Sequence, residues 1–498
     1  MSGIYSFIKD HNFGADHHQD DSNAPKNSDE KNVKPDSSSN LHSSSTISNI
    51  RNKDSDNKKP NDNDPPELTP ILEAEELLKD PIFQDIIKDI KQLSNAPEQA
   101  FNKLYLPVIK NYTEFVQSLP NLRHIQFDVQ KGQLALGLIR ALYALEKMDD
   151  YPMPLEIDHM SEDDPQNKIE KFSAKWHYAV FTAGLLAGVG FVTQNPIVDL
   201  CNEKGDKLEK WDALKGSMLT AHNDATHYIY NESSKEENKL LGRKLTVLVA
   251  NKLIPTGCYN WLLSDTGIFL EWAAMLEHEE SGSGTLFSII KKASREIQQD
   301  FLGSHLPTQM LELNVPMQMR QKKQEYSEHS FWKGVEFSLR KRKESHLSRC
   351  AENAKKFISW LKSELKSKKI SYNKKDSLVH ISKEGVFLLH PNIFIKYNKS
   401  AYQLHTPQSI VLFKEFNYMN YTKLSGDDHV FEKYFGYLND PKMRRGVILE
   451  RDDLIFDKKP EVHPEASNEP AVTNYKRIYP DIKDDYKLKP GLNPKSEK

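Results

Sequence analysis

Metal chemistry needs imidazoles and carboxylates spaced so that their lone pairs meet at one point. The chain has 18 histidines to draw on. His124 follows an LPNLR segment, and His177 sits beside Trp176 in an apolar run. His222 and His227 stand five apart, while Asp199 and Asp206 bracket a polar stretch. Two metal-binding histidines on one helical face need a spacing of three or four. Neither arrangement offers it, so these are read as surface or satisfied core histidines. The segment DLCNEKGD (199–206) has the composition of a calcium loop. It lacks the alternating ligands and terminal Glu of an EF-hand, and is read as a plain turn. Cys201, Cys258 and Cys350 lie far apart with no CxxC spacing, which fits neither a zinc knuckle nor a disulfide framework. A reducing compartment suits such cysteines. Twenty tyrosines make a lone phosphate-attacking Tyr uninformative. With no GxxxxGK[ST] loop, P-loop ATPase or helicase chemistry has no seat.

A second kind of chemistry is carried by charge. Between Arg340 and Lys375 there are thirteen Lys or Arg residues against three acids (Glu344, Glu352 and Glu364), a surplus of ten in a chain of net charge -3. The densest runs are Arg340, Lys341, Arg342, Lys343 and then KSKKISYNKK, which holds Lys368, Lys369, Lys374 and Lys375. Such runs can lie along a phosphate backbone, with binding that depends strongly on salt and weakly on sequence. The plainer reading is a solvated helix face.

The elements that must position these groups are mostly helical. The 498 residues would hold about three domains at ~150 residues each. Residues 1–65 are rich in Ser, Asn, Asp and Lys and are expected to be disordered. From 66 to 304 apolar residues recur at three- and four-residue spacing, as in Leu134, Leu138, Leu142 and Leu145, with no strand-like alternation. An all-α domain is expected there, with one helix over 168–191. Residues 305–344 read as a linker. Residues 345–455 combine a helix from His346 to Ser367 with short apolar strands, which predicts a small α+β module of winged-helix type. Residues 456–498 read as a disordered tail. The fold class expected is thus mainly α with disordered tails at both ends. Tyr178–Val192 is the longest apolar run, short of the ~20 residues of a bilayer span. No signal peptide or membrane insertion is expected.

From Leu72 to about Leu449 the chain resembles the TraI-type relaxases of the MOB-H class. The landmarks are AEELL (74–78), VQSLP (116–120), WHYAVFTAGLL (176–186), VDLCNEKGDKLEKW ending at Trp211, NKLIP with WLLSD (261–265), and FISWLKSELKSKKISYNKKDSLVHISKEGVFLLHPNIF. The resemblance implies an HD-type helical domain in which His and Asp hold a divalent metal that helps break and rejoin one DNA strand. It also implies where those ligands belong. Leu136 stands near an expected His, Ala187 and Gly188 replace the His-Asp pair, and Ser294 falls at an expected acid; of the histidine run only His124 remains. No divalent metal or other cofactor is therefore expected, and Ala187 and Gly188 are read as close-packing residues. The function implied is that of a catalytically degenerate relaxase relative in the bacterial cytoplasm that binds DNA or a relaxosome partner. Two alternatives stand beside it: a scaffold, adaptor or cargo protein of a type IV secretion machine, and an active relaxase or metal-dependent phosphohydrolase.

Overall fold

The structure is a computed structural model that describes residues 68–151, 153–154, 165–233, 237–302, 328–401, 408–423, 429–435, 443–458, 460–462 and 478–480. The expected disorder of residues 1–65 falls outside these residues. After β1 (Thr69–Pro70) and α1 (Ala74–Leu77) comes α2 (Pro81–Ser94), which shows how the sequence writes a helix. Asp80 caps it by accepting from the Ile82 amide at 3.0 Å, Pro81 fills the first turn, and Asn95 closes it in the left-handed region. Phe83, Ile86, Ile90 and Leu93 form its buried stripe.

The chain continues through α3 (Glu98–Ala100) and a π-helical turn into α4 (Leu106–Val116), then α5 (Gly132–Lys147) and α6 (Pro165–Leu186). Helix α5 is buried along almost its whole length and packs on α2, α6 and α11 (Gly284–Leu302). Each leucine it buries contributes about 1.5–3 kcal/mol. Before α11 come α7 (Met218–Ala221), α8 (Lys239–Leu253), α9 (Thr256–Leu263) and α10 (Thr266–Leu276). The stretch Glu170–Thr193 is long and apolar enough to cross a membrane, but 83% of its apolar window is buried inside the fold. It is a core helix.

Three expectations need correction. The helical domain is not all-α: β2 (Ile197–Cys201), β3 (Lys207–Lys210) and β4 (His227–Asn231) join β1 in an antiparallel sheet of order β1-β4-β2-β3. Val198 faces Tyr230 and Leu200 faces Tyr228 across it. The polar segment is the β2–β3 turn, where Asn202 Oδ1 accepts from the Lys204 and Asp206 amides at 2.9 and 3.0 Å. Second, the expected linker is helical from Glu328, because α12 runs unbroken over Glu328–Lys366. Its 39 residues span about 58 Å. Third, within the expected tail Tyr479 is buried, with its ring 6.2 Å from that of Trp261.

Helix α12 serves two cores. Val335 and Cys350 pack with the helical domain, whereas Phe357 and Leu361 join the second core. That core is built with β5 (Val379–Ser382), β6 (Gly385–Leu389), α13 (Asn392–Ala401), α14 (Gln408–Tyr418), β7 (Phe431–Lys433) and β8 (Arg444–Leu449), whose strands form an antiparallel sheet of order β5-β6-β8-β7. Phe357 contacts Phe394, Tyr397 and Phe416 at centroid distances of 5.1–5.3 Å. An α+β module does follow the helical domain.

Candidate functional site

The four positions singled out by the resemblance sit on α5, at the end of α6 and on α11. Helices α5 and α6 cross closely at Gly184, where a Cβ would stand 2.8 Å from the Ala141 Cα. That approach brings Arg140 under the end of α6. Its Nε donates to the Gly184 carbonyl at 2.6 Å and its Nη2 to the Ala187 carbonyl at 2.5 Å. A cation is favoured there, since the last carbonyls of a helix carry partial negative charge. Burial pulls the Arg140 pKa down to about 10, so the guanidinium is charged at neutral pH. Gly188 is not a close-packing residue. It has φ +74 and ends α6 in the left-handed region, where a Cβ would meet only ordinary contacts, and a 3-10 turn over Val189–Thr193 follows. The helix expected over 168–191 therefore stops at Leu186. Close packing falls instead at Gly184 and at Gly190, whose Cβ would lie 2.3 Å from the Thr246 amide nitrogen.

Leu136 is buried, while Ala187 and Ser294 are half-buried. A methyl, an absent side chain, an isobutyl and a single hydroxyl supply no anionic or imidazole ligand, and the charged group that reaches Ala187 is the guanidinium of Arg140. These residues do not fit a divalent cation. Among the described residues no cluster of three or more His, Cys, Asp or Glu side chains could hold one. His124 stands in the turn after Pro120, where its amide donates to Asn121 Oδ1 at 3.0 Å. His177 is buried, its Nδ1 2.6 Å from the Ser173 carbonyl, and burial lowers its pKa to about 3. All three cysteines are buried and free, and burial pushes the Cys258 and Cys350 thiols up to about 12, which disfavours the thiolate form.

The basic runs separate. Arg342 is buried in ion pairs with Glu146 and, at 4.0 Å, Asp89; Lys343 meets Asp89 at 2.5 Å. Arg340 and Lys341 are exposed on the same helix. From Arg340 to Lys366 the axis rises about 39 Å, so the second run is far from the first. That second run lies in the turn after α12, where Lys368, Lys369, Lys374 and Lys375 are all exposed. Lys369 is 3.6 Å from Glu364, while Lys368, Lys374 and Lys375 have no acidic partner among the described residues. Tyr372 stands between them, 40% exposed, edge-on to Phe456.

Sequence reasoning passed over Arg140, although an arginine within LALGLIRALYAL is a visible signal. It also missed a polar cavity lined by Asp149, His346, Lys414 and Glu415, where Lys414 pairs with Asp149 at 2.9 Å.

Two family models match the chain. The TraI_2 model, described as “Putative helicase”, matches residues 69–319, and TraI_2_C, described as “Putative conjugal transfer nickase/helicase TraI C-term”, matches residues 352–467. A search of curated proteins finds no match. The two matches fall in order on the helical domain and the α+β module, and the first alone covers half of the chain. The chain belongs to the TraI-type conjugal transfer nickase/helicase family.

Proposed function

We propose that this chain is a degenerate MOB-H-class member of its family that binds DNA, with no metal-dependent strand cleavage of its own. It would do so in the bacterial cytoplasm as part of a relaxosome, with the α+β module acting in the manner of a winged helix. The observation that carries the reading is the turn after α12, in which Lys368, Lys374 and Lys375 are exposed around the exposed ring of Tyr372. Unneutralised ammonium groups can take phosphates, and an exposed aromatic between them offers a base a surface to stack on. Loss of the metal reaction is supported by the donor set at Leu136, Ala187, Gly188 and Ser294, and by Arg140 holding the end of α6.

The test is a salt titration of the full chain with duplex and single-stranded DNA. Replacing Lys368, Lys374 and Lys375 with Gln should flatten the log–log slope by about 0.9 per residue on duplex and about 0.7 on single strands. Tyr372→Ala should weaken single-strand binding by about 1–3 kcal/mol. Absence of binding at low salt would refute the DNA reading and leave the adaptor or cargo role. A stoichiometric transition metal in the purified protein would refute the loss of metal chemistry.

A further inference from the structure

A column of aromatic rings runs outward through the helical domain. Phe181 and Tyr178 on α6 and Tyr105 in the π-helical turn (Phe101–Tyr105) are fully buried. The Tyr105 ring lies 4.9 Å from Phe181 and 5.4 Å from Tyr178 by centroids. Trp261 on α9 continues the column 5.5 Å from Tyr178 and is only half-buried. The ring beyond it comes from far along the chain. Tyr479 lies 6.2 Å from Trp261, tilted by 50°, and is 9% exposed. Ile478 beside it is half-buried and packs on the same core.

This contact has the character of a docked peptide. Ile478, Tyr479 and Pro480 belong to neither helix nor strand. Pro480 keeps Tyr479 out of the helical backbone region, so less conformational freedom is lost when the ring seats. Tyrosine is a rigid anchor that offers a large apolar face and a polar tip. The receiving side is polar at one point as well, because the buried Tyr105 hydroxyl has no hydrogen-bond partner among the described residues. Burial and the nearby Tyr479 hold the Tyr105 phenol well above its ordinary value. Tethering supplies the remaining stability: at an effective concentration of about 1 mM the seat stays filled even with an intrinsic Kd of ~100 μM.

We propose that Trp261, backed by Tyr178 and Tyr105, forms a peptide-docking slot whose occupant is the chain's own Ile478–Tyr479–Pro480 segment, seated in cis and exchangeable for the same sequence supplied in trans. The partner it fits is a peptide with a tyrosine between an aliphatic residue and a proline. The slot is independent of the DNA-binding reading above.

The experiment is a calorimetric titration of the full chain carrying Tyr479→Ala, which empties the slot, with a synthetic peptide of residues 474–484. Saturable binding with a Kd of about 100 μM or tighter is expected. The wild-type chain should bind the peptide about tenfold more weakly, because its own segment competes. A peptide with alanine in place of its Tyr479 should not bind either chain. Circular dichroism checks that the Tyr479→Ala chain is folded. Should it not fold, the wild-type chain serves instead: excess peptide should speed hydrogen exchange at the Tyr479 amide by displacing the segment. No saturable binding to a folded Tyr479→Ala chain at about 1 mM peptide, or exchange that the peptide leaves unchanged, overturns the slot. A concentration-dependent dimer of the wild-type chain that Tyr479→Ala abolishes would put the segment of a second copy in the slot and overturn its occupation in cis.

Discussion

Replacing Arg342 with Gln should damage the fold rather than any surface function. The Arg342 side chain is 9% exposed, and its partners Glu146 and Asp89 are 6% and 9% exposed. It also lies 5.1 Å over the Tyr143 ring. The carboxylates left behind would have little water to turn to. Without Arg342, Glu146 keeps Lys147 at 3.8 Å and His346, whose pKa burial lowers to about 3 and which is neutral. Asp89 keeps Lys343. Removing one partner of a buried pair costs about 3–5 kcal/mol, because the other charge stays in a poor solvent. The surviving lysine contacts place the expected loss near the lower end, about 3 kcal/mol, or roughly a hundredfold in the folding equilibrium. Urea unfolding of the full chain, followed by circular dichroism, measures it. The exposed neighbour Lys341→Gln should change stability by less than about 0.5 kcal/mol. Replacing Arg342 and Glu146 together with Leu should recover much of the single-variant loss. The reasoning fails if Arg342→Gln is as stable as wild type and instead lowers the salt slope of DNA binding by about 1, as a free surface cation would.

Other outcomes follow from the same packing. Gly184→Val should destabilise by about 3 kcal/mol, since its Cβ meets the α5 backbone at 2.8 Å and neither helix can yield cheaply; a Tm unchanged from wild type would contradict the close crossing. Burial lowers His177, His346 and His390 to about 3, so the native state binds fewer protons than the unfolded one below the ordinary value of 6.5. Their contribution is present above pH 6.5 and is lost as pH falls toward 3, by about 1.4 kcal/mol per pH unit for each histidine. Urea midpoints flat from pH 7 to pH 4 would refute it. Glu415 runs the other way: burial raises it to about 7, so its contribution is present below 4.5 and lost as pH rises through 7. Glu415→Gln, which keeps an acceptor for the Asn353 amide at 2.8 Å, should therefore be more stable than wild type at pH 8.

The helices of the first domain were legible because their stripes are local. Leu134, Leu138, Leu142 and Leu145 announce α5 without reference to the rest of the chain. The first sheet was not legible: β1 has two residues, β3 is exposed throughout, and β2 and β4 are held together only by pairing across an intervening hairpin and helix. The start of α12 carried a readable pattern in Phe331, Trp332, Val335 and Leu339, but the charged residues among them dilute it. The basic run at Arg340–Lys343 could not be sorted from sequence, because its acidic partners lie 196 and 254 residues away. At the candidate site the chain shows which ligands are replaced, whereas the position of Arg140 under α6 depends on a helix crossing that no local pattern encodes.

Helix α12 has a consequence for how this protein can be divided. Phe331 and Trp332 cover Phe127 and Phe83 at centroid distances of 5.6 and 5.7 Å, yet both lie between the two segments matched by the family models. A fragment cut at the family boundary would leave those rings bare on one piece and would shorten the helix that begins the other. The two matched segments are separable as text but share a structural wall, since α12 packs in the cores of both.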